Sequence, residues 1–215
     1  MNIIWNGLGC FSLTGKPISG DVTLITDPYD KTTGLRVPRT LKSSIVVQSH
    51  DAPEANNLAA VSPEDGKKPF EVTHAGEYEI QGIFVTGINA PKKSGVDHFI
   101  FRIDIEDLAI GFLGALDRTL SDKELAKLGN IDVLIIPVGG GSVLDTDTAA
   151  DVVQQVEPRI VIPSHFMIPG LKTKLGDVEK FCKELSCARE DSNKIKITKS
   201  SLPADEIEII VPLKV

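Results

Sequence analysis

Short β-type runs fill the first half of the chain. Asn2 to Trp5, Cys10 to Leu13 and Val22 to Thr26 are apolar or alternating stretches separated by Gly and Pro. Ser44 to Gln48 follows a loop containing Pro38, and Phe70 to Thr73, Glu77 to Ile80 and Ile83 to Ile88 read as a meander. The run Tyr78-Glu79-Ile80-Gln81-Gly82-Ile83 has the composition of a tight hairpin. His98 to Ile103 and Ala109 to Leu113 predict a second hairpin, turned at Glu106-Asp107.

After Gly114 strands alternate with helices. Ser121 is placed to cap a helix over Asp122 to Leu128, with Glu124 three residues on and Gly129 at the stop. Ile131 to Val138 is a continuous apolar run, the pattern of a strand covered on both faces. Ala149, Ala150, Val152, Val153 and Val156 make one stripe of a helix over Thr146 to Val156, and Pro158 ends it. Arg159 to Pro163 predicts another buried strand, Leu175 to Leu185 a helix, and Glu206 to Val211 a closing strand. Strands first and β-α-β-α afterwards point to two sheets covered by helices. With 215 residues and no linker, repeat or low-complexity tract, the chain reads as one domain over 1–215.

Charge and cysteine usage narrow the function classes. A formal charge of −7 argues against a nucleic-acid or anionic-membrane surface. Lys92-Lys93 and Lys194-Ile195-Lys196 are too short to change that and read as solvated strand ends. Met1 to Leu13 is interrupted by Asn6, Gly7 and Gly9 and has no basic lead, so no secretion signal is read there. No apolar run is long enough to span a bilayer. Cys10, Cys182 and Cys187 stand at unrelated spacings and read as reduced thiols of a cytoplasmic protein, Cys10 being a buried small hydrophobe.

Six segments, in order, carry a resemblance. They are Ile3-Ile4-Trp5-Asn6-Gly7-Leu8-Gly9-Cys10-Phe11, Leu24-Ile25-Thr26-Asp27-Pro28-Tyr29 and Ala75-Gly76-Glu77-Tyr78-Glu79-Ile80. Leu113-Gly114-Ala115-Leu116, Ile131-Asp132-Val133-Leu134-Ile135-Ile136-Pro137-Val138-Gly139-Gly140 and Ile162-Pro163-Ser164-His165-Phe166 complete the set. Together they resemble the metallo-β-lactamase superfamily, in particular its short branch related to the sugar-lactone phosphate lactonases. The resemblance implies an α/β fold of the α+β type, a four-layer αββα sandwich of two mixed β-sheets. Any site would lie on loops along one edge of the sheets.

The same resemblance implies how a metal centre would be laid out. The superfamily writes His-x-His-x-Asp-His after the strand that here is Ser44 to Gln48. In this chain His50 stands at the first ligand, Glu54 at the loop Asp, and Ala52 and Ala55 at two other histidines. The middle histidine falls near Ala90-Pro91-Lys92, the bridging Asp at Ala115, and the late histidine at His165. Asp117 lies two residues past the bridging position. Each of the two metal positions therefore loses at least two ligands. What remains is His50, Glu54 and His165, a ligand set that binds zinc on other folds.

Other readings of the same letters are weaker. A lone histidine after a strand, such as His50 or His165, commonly serves only to hydrogen-bond a carbonyl. His74 and His98 have no partner at ligand spacing, and Asp27 fits a carboxylate accepting backbone N–H bonds at a strand end. Ser49-His50-Asp51 and Ser164-His165 have triad letters, but consecutive side chains are expected to point apart. Gly139-Gly140-Gly141-Ser142 lacks the ending of a phosphate loop, and Gly7-x-Gly9 opens no helix, so both read as turns.

The first expectation is thus a fold member without its metal centre, non-catalytic, binding a small ligand or a protein partner, with no cofactor. An oligomeric scaffold is a further option. The alternative is a zinc- or manganese-dependent hydrolase of lactones, phosphoesters or other esters. It would use a mononuclear site at His50, Glu54 and His165, with Asp51, Asn56 or Asp117 assisting.

Overall fold

Two mixed sheets account for most of the strands that the hydrophobic pattern predicts. The computed structural model describes residues 1–215 apart from 19, 65, 186, 190–192 and 214–215. Strands β1 (Asn2–Gly7), β2 (Cys10–Gly15) and β3 (Val22–Thr26) open the chain. A short β4 (Lys42–Ser43) precedes β5 (Ile45–Val47), β6 (Ser62–Pro63) and β7 (Phe70–Val72). The meander is β8 (Gly76–Ile80), β9 (Ile83–Asn89), β10 (Phe99–Ile105) and β11 (Leu108–Phe112). Next come α1 (Asp122–Leu128), β12 (Val133–Pro137), α2 (Thr146–Val156), β13 (Ile160–Ser164) and α3 (Val178–Leu185). Strands β14 (Ala188–Arg189), β15 (Lys194–Lys196) and β16 (Glu208–Val211) follow.

One sheet runs β15-β1-β2-β3-β5-β7, the other β14-β16-β13-β12-β11-β10-β9-β8, and β4 pairs with β6 alone. Strands β3, β5 and β7 are parallel neighbours, as are β11, β12 and β13. Strands β11 to β13 are buried at every position, as continuous apolar runs should be when both faces are covered. Helix α1 packs on β9, α2 on β12 and α3 on α2. A single apolar cluster runs from Met1 to Val211 through Trp5, Phe11, Phe101, Phe112 and Phe181.

The local signals hold where they concern turns and caps. Gln81 and Gly82 have φ 53 and 83, and Glu106 and Asp107 have φ 52 and 64, the left-handed pairs that match strand twist in two-residue hairpins. The Ser121–Glu124 capping box forms at α1. The basic run Lys194–Lys196 agrees with its reading, both lysines being the exposed ends of β15, which pairs with β1 and buries Ile195. Two expectations need correction. The helix expected from Leu175 starts at Val178, because Gly176 N donates to Gly139 O at 2.6 Å and Gly176 O accepts from Met167 N at 2.9 Å. The cysteines are not all reduced. Cys182 and Cys187 form a disulfide with a Cα–Cα distance of 4.9 Å, because the chain turns back after α3, while Cys10 is a free, buried thiol. Among the described residues no helix is long and apolar enough to cross a membrane.

The carboxyl ends of the parallel strands of both sheets converge, the usual place for a site in such topologies. Phe99 N donates to Ser49 O at 2.7 Å across the junction. A Cβ on Gly139 would sit 2.1 Å from His165 O, so the ends of β12 and β13 approach as only glycine allows. Gly139→Ala should therefore lower stability by about 1–3 kcal/mol, read from the urea midpoint at constant slope. An unchanged midpoint would show that the two strand ends are free to part.

Candidate functional site

Asp27, immediately after β3, is fully buried and has φ 34. Its Oδ1 accepts from Ser49 N at 2.7 Å and its Oδ2 from Ser49 Oγ at 2.5 Å. The strand-end role expected of Asp27 is thus present, with the next parallel strand as its partner. Ser49 Oγ also lies 2.9 Å from His50 Nδ1. With Asp27 ionised, the one hydroxyl proton of Ser49 goes to the carboxylate. Ser49 Oγ then accepts from Nδ1–H of His50.

The end of β13 repeats the arrangement. Ser164 Oγ lies 3.2 Å from His165 Nδ1, with His165 at φ 48 and 2% exposed. The expectation that consecutive Ser and His side chains point apart is wrong at both places. In neither is a serine nucleophile made, since Ser49 and Ser164 are fully buried and Asp51 turns away to Asn56 Nδ2 at 2.8 Å. The Nε2 atoms of His50 and His165 are both buried and have no hydrogen-bond partner among the described residues. Glu54 Oε1 stands 3.3 Å from His50 Nε2, close enough for charge attraction but not aligned as a hydrogen bond.

The electrostatics follow from burial. Desolvation pushes His165 down to about 3, with the charges of His50 and Lys92 acting the same way and Glu54 opposing, so the ring is neutral. His50 beside it holds the Glu54 carboxyl down to about 2, against its partial burial. Asp27 is pushed up to about 7 by burial, although His50 and the Ser49 bonds favour its ionised form. Burial holds Lys92 below its ordinary value against the pull of Asp117, Glu54 and Asp27, and its Nζ donates to Ser142 O at 3.0 Å.

The other named positions separate into packing and rim. Ala55, Ala90 and Ala115 are buried, the last two within the apolar core, and their side chains offer no donor atom. Asp117 Oδ1 accepts from Lys93 N at 3.0 Å. His98, given no role by spacing, is fully buried with its ring 5.6 Å from that of His50. Its Nδ1 bonds Ala90 O at 3.2 Å and its Nε2 accepts from Ala115 N at 3.1 Å, so both nitrogens are used. Burial first, then His50 and Lys92, keep it well below the ordinary histidine value.

Among the described residues no three His, Cys, Asp or Glu side chains already form a group that could hold a metal ion. The donor chemistry nevertheless fits one ion, with two unpartnered imidazole nitrogens, of which the His165 ring is neutral, and one ionised carboxylate. Spacing also passed over His74, which borders a cleft of about 540 Å³ together with His50. Its Nδ1 lies 2.8 Å from Thr73 Oγ1. The overlooked signal was the hydroxyl–histidine pair itself, found after β5, β7 and β13.

Residues 2–165 match the family model described as the beta-lactamase superfamily domain. A UPF0173 metal-dependent hydrolase of Thermoplasma acidophilum is 24% identical over 196 residues, 77% of this chain and 83% of its own length. A UPF0173 protein of Pyrococcus abyssi is 28% identical over 207 residues, 88% of this chain and 92% of its own. The fold overlays that of a candidate Zn-dependent hydrolase of the metallo-beta-lactamase superfamily from Thermotoga maritima. The TM-score is 0.80 at 23% identity, covering 99% of this chain and 100% of that one, which shows the sandwich fold.

Asp27 also leaves a mark on stability. Its folded pKa lies above the unfolded value of about 3.9, so between the two the folded chain holds the extra proton. Its contribution is fully present at low pH and is lost as pH rises through about 7. His165 and Glu54 are depressed and work oppositely, losing stability as pH falls through about 3 and about 2. In metal-free protein the wild type should lose stability relative to Asp27→Asn between pH 5 and 8, measured by urea unfolding. A difference constant across that range would mean that Asp27 is already ionised at pH 5.

Proposed function

The chain belongs to the beta-lactamase superfamily, and on that premise we propose that it is a metal-dependent hydrolase working from a single-metal site. The observation that carries this reading is the pair of buried Nε2 atoms on His50 and His165, neither hydrogen-bonded among the described residues, with ionised Glu54 3.3 Å from that of His50. Two buried ring nitrogens left without partners cost stability unless something binds them. The naming of relatives that match 77% of this chain as metal-dependent hydrolases supports it over the non-catalytic binding protein that the alanines suggested.

His50, Glu54 and His165 would hold zinc or manganese. Such an ion supplies Lewis acidity and a bound water whose pKa falls towards about 7. Ser49 and Ser164 hold the Nδ1 atoms, which orients each ring and keeps Nε2 free, and Asp27 fixes Ser49 in turn. A second ion has no donors at Ala52, Ala55, Ala90 or Ala115. The substrate classes implied by the family are lactones, phosphoesters and other activated esters.

Elemental analysis after dialysis with zinc and manganese should find close to one equivalent per chain, lost in His50→Ala and in His165→Ala. Two equivalents would overturn the single-metal site, and none would return the chain to the ligand-binding reading. Ser164→Ala should leave the fold intact and weaken metal binding by about 10- to 100-fold, measured by chelator competition. Unchanged affinity would remove Ser164 from any orienting role.

A further inference from the structure

The ring of His165 is held by more than its own serine. Ser164 Oγ stands 3.2 Å from Nδ1, at the long end of the hydrogen-bond range. A second constraint comes from the other sheet, at the turn between β1 and β2. A Cβ built on Gly9 would lie 2.7 Å from His165 Cε1, the ring atom next to Nε2, and 3.2 Å from Asp27 Oδ2. Gly9 has no positive φ, unlike Gly7 at φ 110, so its backbone does not call for glycine through a left-handed conformation. The space that a side chain would need is filled by the imidazole and, less tightly, by the Asp27 carboxylate. Two buried hydrogen bonds fix the turn. Trp5 Nε1 donates to Leu8 O at 2.9 Å, and Thr26 Oγ1 donates to Gly9 O at 2.6 Å. The Trp5 ring also packs on Phe166, the residue after His165, with centroids 4.7 Å apart. One indole therefore joins the turn beside the ring to the segment that carries the ring.

We propose that Gly9 is a positioning residue for the His165 ring, and that Trp5 sets where Gly9 stands. The ring edge against Gly9 carries Cε1, so a displacement there moves the adjoining Nε2, the atom assigned to the metal. A coordinating nitrogen tolerates little movement, since zinc–nitrogen distances stay within about 0.2 Å of one value. Interior packing gives the ring few other places to go, because His165 is 2% exposed and Trp5 and Phe166 are buried beside it. The proposal deepens the hydrolase reading and rests on it for the metal, whereas the contact between glycine and ring stands without it.

A double-mutant cycle tests the contact without metal or turnover. In metal-free protein Gly9→Ala should lower the urea midpoint, and the same substitution made in His165→Ala should cost little, the ring being gone. A Gly9→Ala chain that folds only together with His165→Ala, by circular dichroism, reports the same clash. Equal losses in the two backgrounds, or no loss in either, would place the need for glycine elsewhere and overturn the proposal. Zinc and cobalt(II) then read the position of Nε2. Gly9→Ala should weaken zinc about 10- to 100-fold in chelator competition and change the visible bands of bound cobalt(II), which follow ligand geometry. Trp5→Phe keeps an aromatic ring on Phe166 and loses the bond to Leu8 O, so it should act in the same direction and less strongly. Unchanged affinity and bands in Gly9→Ala overturn the positioning role, and unchanged values in Trp5→Phe remove Trp5 from it. A wild type that takes up no zinc sinks the hydrolase reading instead, while the midpoints still decide whether Gly9 places the ring.

Discussion

Two hydrogen bonds from Ser49 to the buried carboxylate of Asp27 set the terms for the whole site. They tie the end of β3 to the end of the parallel β5, beside the backbone bond from Asp27 N to Val47 O at 2.9 Å. They also put a carboxylate out of reach of water, which is tolerated only because both oxygens are satisfied. Asp27 takes a left-handed backbone conformation to make them, a local cost that packing sustains. From the other sheet, Gly114 at φ 54 approaches so closely that a Cβ would lie 2.4 Å from the Ser49 side chain. Ser49 is the point at which the two sheets and the histidine meet.

What surrounds that point is an uneven replacement. Of the alanines at the family's ligand positions, Ala90 and Ala115 are packed in the apolar core, while Ala52 is half-buried. The imidazoles of His50 and His165 were not replaced in the same way, and each keeps a serine on Nδ1. Fully apolar packing would have removed the need to satisfy those nitrogens. The survival of two oriented rings beside an ionised carboxylate is the physical reason for reading a reduced centre and not an empty one. His98 shows the contrast, since it is equally buried but spends both nitrogens on backbone groups.

Legibility from the chain alone was good where the physics is local. Hairpin turns at Gln81-Gly82 and Glu106-Asp107, the Ser121 cap and the limits of α2 follow from φ preferences, side-chain caps and periodicity within a few residues. It was poorer where a distant segment intervened. Leu175 to Asp177 has helical periodicity, yet its backbone is taken by Gly139 and Met167. Cys182 and Cys187 are brought together by a turn that spacing did not announce. His74 seemed unpartnered because its companion, the cleft at His50, is made by a neighbouring strand.

His50, Glu54 and His165 were nameable as candidates from sequence through the family resemblance, because ligand chemistry is a property of residue type at a recognisable strand end. Most of the strands and their order along the chain were legible too, since period and turn chemistry are written in neighbouring residues, while the mixed sandwich came from the resemblance. Tertiary structure alone decided that the serines before His50 and His165 hold their rings, that Asp27 holds Ser49, and that Gly9 stands against the ring of His165. Those facts depend on burial and on contacts between segments far apart in the chain. They set charge, tautomer and exposure, which no local pattern encodes.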